Sequence, residues 1–366
     1  MQDKIFLVSP LTPTGGISSW SKNMLNYISI KNIDNIVHID SSNKFKTHRY
    51  AVNILARLFL APLDAIYLFF KLLIELLKEK PNVLHITSSG SFSLFKDFLV
   101  LILTKFFKVR CVFHYRFGRI PELNKKKNWE WRLLFFLVKK ADKVIVIDSP
   151  TFNVFFKLKM SDKVFLIPNP CALDISKLAF KDVIEKEINS FIFVGHVINA
   201  KGVFELVEAF TKNEHDLKLT MMGLSNGVIE KDLYKISSEK KGNWLKIIGN
   251  QKKDIVINYM KNSTALILPS YTEGFPNVIL EAMAAGCPIL ASNVAEIPYM
   301  LNVKSKENAA GVCFKPKSVE SLTIVLNDFI NKPEKHFFYA ENGKKNVREK
   351  YTMDIVFPMY ESVWNN

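Results

Sequence analysis

Glu273 and Glu281 stand with seven residues between them in SYTEGFPNVILEAMAAGCPILAS, residues 270–292. This stretch is expected to hold a strand end, a loop, a helix, a stop and a second strand. Gly274 permits a tight loop backbone. Pro276 suits the first helical position, where its missing N–H costs nothing. Gly286 and Pro288 then mark the stop. Glu281 falls about one and a half turns into the helix, at about 3.6 residues per turn. Its neighbours Val278, Ile279, Leu280, Ala282 and Met283 leave the helix apolar nearly all round, which predicts burial. A carboxylate placed there needs partners. A vicinal diol such as ribose would give it two hydrogen bonds; the plain alternative is a narrow solvated stripe. The unpaired N–H groups at the helix start favour an anion or a ligand rich in hydroxyls.

Such a loop needs a sheet beneath it. Strands alternate with helices along the whole chain: KIFLVS (4–9), VLHIT (83–87), VRCVFHY (109–115), KVIVID (143–148) and KVFLIPNP (163–170) form one series. SFIFVGH (190–196), LKLTMMG (217–223), WLKIIGN (244–250), ALILPS (265–270) and CPILAS (287–292) form a second. Alternation at this spacing predicts parallel sheets covered on both faces, an α/β class. Two series predict two Rossmann-like domains, residues 1–170 and 171–351, with their boundary inside 169–190. Residues 352–366 read as a terminal helix. In open parallel sheets ligands bind beyond the carboxyl ends of the strands, which is where Glu273 would lie.

The 366 residues suffice for two domains, and 48% hydrophobic with 23% charged is ordinary for a globular chain. Cys111, Cys171, Cys287 and Cys313 form no CxxC pair, which argues against a disulfide framework or structural zinc and fits a reducing cytoplasm. MQDKIFLVSPLTPTGG has too short an apolar run for a signal peptide. No uninterrupted apolar stretch of about 20 residues exists; residues 51–80 come nearest and are broken by Arg57, Pro62, Asp64, Lys71 and Glu75. Net charge is +15, and residues 1–180 carry 27 Lys and Arg against 13 Asp and Glu. The other half is nearly balanced, so the first half is the one suited to an anionic partner. No helix-turn-helix, RNP or zinc pattern supports nucleic acid as that partner.

PSYTEGFPNVILEAMAAGCP closely resembles the E-x7-E signature of the retaining GT-B glycosyltransferases of family 4, followed by that family's small-residue helix and G-x-P. The resemblance implies a fold of two Rossmann-like domains facing across a cleft, the first binding acceptor and the second binding a nucleotide sugar. It implies that Glu281 holds the ribose and that Glu273, with Gly274, Phe275, Pro276 and Asn277, meets the donor sugar and its phosphate. FIFVGHVINAKGVFELVEAF, residues 191–210, is similar to the family's diphosphate-gripping element. Gly195, Lys201 and Gly202 match it, while His196 stands in the arginine position. Lys201 is then the expected phosphate anchor, and His196 is either a donor-touching hydrogen-bond donor or a structural histidine. Gly15 and Gly16, directly after the first strand, match the loop that closes over the donor; read alone they are a tight turn. His114 matches a strand-end histidine near the reacting sugar, with a buried structural role as the alternative. Arg116 and Arg119 follow it as candidates for an acidic acceptor. IPNPCALD occupies the place of the family's IPNG linker, with Pro170 for glycine.

Glu273, His114 and Lys201 are therefore the candidate catalytic residues. No D-x-D occurs, so neither metal nor cofactor is expected; UDP- or GDP-sugar is the expected co-substrate. The resemblance implies retention by front-face displacement. The basic first half also carries the apolar helices FLAPLDAIYLFFKLLIELL, SFSLFKDFLVLILTKFFK and WEWRLLFFLVKK. Basic and apolar signals together predict peripheral association with an anionic membrane surface, at the inner face of the cytoplasmic membrane. A lipid-linked or lipopolysaccharide or capsule oligosaccharide is then the expected acceptor. Two rivals are a nucleotide-sugar epimerase on the same scaffold and a non-catalytic sugar-nucleotide-binding subunit.

Overall fold

The structure, a computed structural model, describes residues 3–13, 15–44, 54–172 and 189–365, and of 54–61 the backbone only. Part of the expected boundary segment, residues 173–188, lies outside the described residues. The chain divides into two units, Met1–Asn169 with Val356–Asn366, and Pro170–Ile355.

The first unit is a six-stranded parallel sheet. Its strands are β1 (Ile5–Ser9), β2 (Ile36–Asp40), β3 (Val83–Ser88), β4 (Arg110–Tyr115), β5 (Lys143–Val146) and β6 (Val164–Leu166), in the order β2-β1-β3-β4-β5-β6. β1 and β3 are buried along their whole length, as strands covered on both faces must be. Helices α1 (Gly16–Ile30), α2 (Ile54–Lys78), α3 (Ser93–Phe106), α4 (Ile120–Lys126), α5 (Trp129–Lys140) and α6 (Ser149–Lys157) supply the crossovers. The order reverses at β1, whose neighbours are β2 and β3. That switch point opens a crevice past the strand ends. The helix Met353–Asn365 crosses the unit boundary, and its residues Val356, Phe357, Tyr360, Val363 and Trp364 are buried. Within the first unit the Tyr360 hydroxyl accepts a bond from Trp20 Nε1 at 3.1 Å, and Trp364 Nε1 donates to His85 Nδ1 at 3.0 Å.

The second unit is also six parallel strands: β7 (Ser190–Val194), β8 (Lys218–Met222), β9 (Leu245–Ile247), β10 (Ala265–Leu268), β11 (Ile289–Ser292) and β12 (Gly311–Phe314). Their order is β12-β11-β10-β7-β8-β9, the doubly wound arrangement with its switch point between β7 and β10. β2 and β12 escaped the pattern reading. Both mix buried and half-buried positions at the sheet edge, so neither gives a continuous apolar run.

Candidate functional site

At the second unit's switch point, two loops are stitched together. The segment after β7 turns through Asn199–Lys201 and then Gly202, at φ 68°. A Cβ on Gly202 would lie 2.1 Å from the Pro269 carbonyl oxygen, so only glycine fits against the end of β10. Tyr271 fastens the other loop: its N–H donates to the Ala200 carbonyl, and its hydroxyl donates to Glu205 at 2.6 Å and lies 3.0 Å from Asn199 Oδ1. This framing brings Lys201 Nζ to 2.6 Å from Glu273 Oε1, and the Glu273 side chain is 12% exposed. The phosphate-anchor candidate and the sugar-contact candidate are thus one ion pair.

The next helix runs Asn277–Ala284 with Pro276 as its cap residue, so it starts one residue later than the expected start at Pro276. Helix ends fray by a residue or two, and among the described residues no side chain caps this one. The helix has no acidic residue in its first turn, leaving that positive end for an outside anion. Phe275 and Pro276 are buried, and Gly274 and Asn277 half-buried. Phe275 packs edge-on against Tyr351, ring centroids 5.7 Å apart. Glu281 is half-buried with Lys253 Nζ 3.7 Å away. Burial raises its carboxyl above the usual range, and Lys253 draws it part of the way back. The neighbouring Cys171 thiol is pushed up to about 12, by burial first and by Glu281 second. Gly195 ends β7 at φ 154°, and His196 beyond it is exposed. A Cβ on Gly223, after β8, would meet the Gly195 carbonyl oxygen at 1.8 Å.

Lys253 was not singled out from the sequence. Its signal was there: it is the first residue of the helix Lys253–Asn262, where a cation opposes the helix dipole. Such a charge needs a reason, and Glu281 supplies it.

In the first unit, Gly15 caps α1 and Gly16 begins it, and a Cβ on either would meet nothing within 4 Å. Both border a cavity of about 560 Å³. His114 is fully buried. Its Nδ1 lies 3.2 Å from His85 Nε2, and its Nε2 lies 3.1 Å from Arg116 Nη1. The guanidinium of Arg116 stands 4.6 Å from the Trp20 ring centre and donates to Asn169 at 2.8 Å. Three contacts therefore link Trp364, His85, His114 and Arg116. Each contact needs one proton; Trp364 and Arg116 donate two, and two neutral imidazoles bring two more. The chain already holds a proton in excess, and a further one is unwelcome. Burial first and Arg116 second press both rings below the ordinary histidine value, His85 to about 3. Arg119 is bound to Glu130 at 3.0 Å. His114, Arg116 and Arg119 are thus each engaged within their own unit.

Residues 174–346 match the family model described as Glycosyl transferases group 1. That group 1 domain covers the whole second-unit site and less than half of the chain. A capsular polysaccharide biosynthesis glycosyltransferase, CapM of Staphylococcus aureus, is 23% identical over 180 residues, 47% of this chain and 45% of CapM. The chain spans about half the length of the curated relatives it matches. Solved structures extend the likeness in fold. Sucrose-phosphate synthase of Thermosynechococcus elongatus superposes with a TM-score of 0.76 over 100% of this chain and 98% of its own, at 15% identity. HepE of Anabaena, in complex with UDP and glucose, gives 0.69 over 100% of both chains at 14% identity. The fold is that of the GT-B glycosyltransferases.

Proposed function

We propose that the protein is a retaining glycosyltransferase of family 4. It moves a hexose-type sugar from a UDP- or GDP-sugar to a lipid-linked, lipopolysaccharide or capsule oligosaccharide at the cytoplasmic membrane face. The observation that carries this reading is the Lys201–Glu273 ion pair at the β7/β10 switch point, with Glu281 on the helix that follows. Glu281 takes the ribose hydroxyls. Lys201 takes the diphosphate together with the N-terminus of the helix Asn277–Ala284 and the backbone around Gly195. Entry of the donor divides the ion pair: phosphate replaces Glu273 at Lys201, and a sugar hydroxyl replaces Lys201 at Glu273. The anomeric carbon–oxygen bond to phosphate breaks, the bond to the acceptor oxygen forms, and the acceptor's proton passes to the departing phosphate. Neither metal nor other cofactor is assigned a role. CapM's part in capsule biosynthesis and the UDP and glucose bound by HepE support this choice of reaction and donor.

Membrane association rests on a surface of the first unit. Leu63, Ile66, Phe70, Ile74 and Leu77 form an exposed stripe at helical spacing on α2. Phe95, Phe98, Ile102 and Phe106 form another on α3, which packs beside α2. Trp129 of α5 stacks on Phe95 with centroids 5.9 Å apart. Monomeric soluble proteins rarely leave so much apolar surface contiguous. Among the described residues no helix is long and apolar enough to cross a membrane. The surface therefore suits a protein that lies on the bilayer.

The deciding experiment incubates the protein with UDP- and GDP-sugars, with and without a lipid-extract acceptor. Nucleoside diphosphate released only with acceptor is the expected result. An isomerised sugar nucleotide would mean an epimerase, and binding without turnover a non-catalytic subunit.

A further inference from the structure

The first unit's cavity of about 560 Å³ lies past the carboxyl ends of β1, β2 and β3, at that sheet's switch point. Hydroxyl groups from Thr12, Ser42, Ser89 and Ser93 line it, as a site for a sugar requires. Two further hydroxyls stand out. Thr87 is 1% exposed and Ser41 8% exposed; both border the cavity, and neither Oγ has a hydrogen-bond partner among the described residues. A buried unpaired hydroxyl costs about 1–3 kcal/mol unless something fills its need.

Beside Thr87 sits Lys96, also in the cavity wall. Its ammonium makes one long contact, 3.4 Å, to the Thr87 carbonyl. Lys96 occupies the first turn of α3, where a cation faces the positive end of the helix dipole. No acidic residue shares that turn, and among the described residues no side chain caps α3. Asp97, next in sequence and behind the cavity wall, attracts that ammonium, and its Oδ2 accepts from Ser88 at 2.5 Å inside the unit. The cavity's carboxylates lie elsewhere. Asp40 ends β2, on the far side of β1 from Thr87, two strand spacings or about 10 Å away. Its Oδ1 accepts from Leu11 N, Ser42 N and Ser42 Oγ. Asp64 Oδ1 accepts from Lys44 N at 2.9 Å. Of the charged residues lining the cavity, Lys96 therefore stands at its β3 end and Asp40 and Asp64 at its β2 end.

We infer that this cavity binds an acceptor sugar bearing an anionic group, carboxylate or phosphate, with the anion on Lys96 and Thr87 and the ring hydroxyls toward Asp40. The inference names the acceptor class for the transferase reading and rests on it. The anion repairs two defects together: the lysine at the wrong helix end and the orphaned Thr87 hydroxyl.

Ligand-observed NMR titration of the full chain tests it with three probes: methyl glucuronide, glucose 1-phosphate and neutral methyl glucoside. At least one anionic probe should bind roughly tenfold more tightly than the glucoside, the size of one charge-assisted hydrogen bond. Tighter binding of the glucuronide assigns a carboxylate, and of the sugar phosphate a phosphate. Lys96→Met should abolish the preference, Lys96→Arg should keep part of it, and Thr87→Val should weaken it. Equal binding of all three probes, binding of none, or an undiminished preference in Lys96→Met overturns the inference. Titration of the same samples with UDP and with GDP reports the second unit separately. A Lys96→Met protein that still binds either nucleotide is folded, whereas a wild-type protein that binds neither sinks the transferase reading and leaves the cavity result standing.

Discussion

Glu281 and Glu273 differ in what they hold, and their substitutions should differ accordingly. Glu281→Ala removes a charged acceptor of two hydrogen bonds, at about 1.5–3 kcal/mol for a bond to a charged group. Nucleotide affinity measured by calorimetry should fall roughly ten- to hundredfold. Glu273→Gln leaves Lys201 without its counter-ion, so UDP should bind at least as well while kcat for transfer drops. Equal loss of UDP affinity in both variants would contradict the division of roles. The buried imidazoles of His85 and His114 make a different forecast. Their folded values lie below the unfolded 6.5, so the unfolded chain takes up more protons as pH falls. Stability of the first unit should therefore be full above pH 6.5 and drain away below it, for His85 down to about 3, by up to about 1.4 kcal/mol per pH unit for each ring. Asp97, raised to about 6 chiefly by burial, acts in the opposite sense and costs stability as pH rises from 3.8 to 6. His38 is lowered like the two rings and Asp148 raised like Asp97, so three imidazoles stand against two carboxyls and urea midpoints should fall on acidification. Imidazole signals of His85 and His114 should stay fixed by NMR down to about pH 5.

The elements carry these side chains through close backbone contacts, and Gly202 is the sharpest of them. Gly202→Ala would force a left-handed alanine into the Pro269 carbonyl 2.1 Å away. The cost exceeds the 1 kcal/mol typical of alanine at positive φ. Because Pro269 begins the loop to Glu273, thermal unfolding should come earlier and transfer should fall with it. That glycine was legible in the sequence as part of VINAKG, and so were most strands, since runs such as IFLV and ALIL are uniformly apolar. The edge strands β2 and β12 were not, because their half-exposed positions break the run. Of the candidate site, Glu281 stood out in the sequence by its apolar helix and Glu273 by its place in the loop before it. The pairing of Lys201 with Glu273 was not, because 72 residues separate them and only sheet order joins them. Nor did spacing reveal how deeply His114 lies, since a strand-end histidine reads the same whether it faces solvent or the helix that returns from residue 353.

Across the whole molecule, charge and apolar surface are unevenly shared. The exposed stripes of α2 and α3 belong to the basic half of the chain, so binding to vesicles should need both apolar contact and anionic lipid. Phe70→Ser with Phe95→Ser and Phe106→Ser should at least halve co-sedimentation with vesicles rich in phosphatidylglycerol, while leaving UDP affinity unchanged. Binding that is equally strong to neutral vesicles would remove charge from the account. The terminal helix sets one more condition on the molecule. Val356–Asn366 belongs to the first unit, so the second unit is threaded into the first as an insert with two connections. While a ribosome is still making Pro170–Ile355, the earlier sheet waits without Tyr360 and Trp364, its polar Trp20 and His85 lacking the rings that later seal them. The insert can mature on its own schedule, whereas its host must hold a half-finished interior open until Val356–Asn366 arrives. A nascent chain stalled before residue 356 should therefore be nicked by protease in its older part and spared in its younger one.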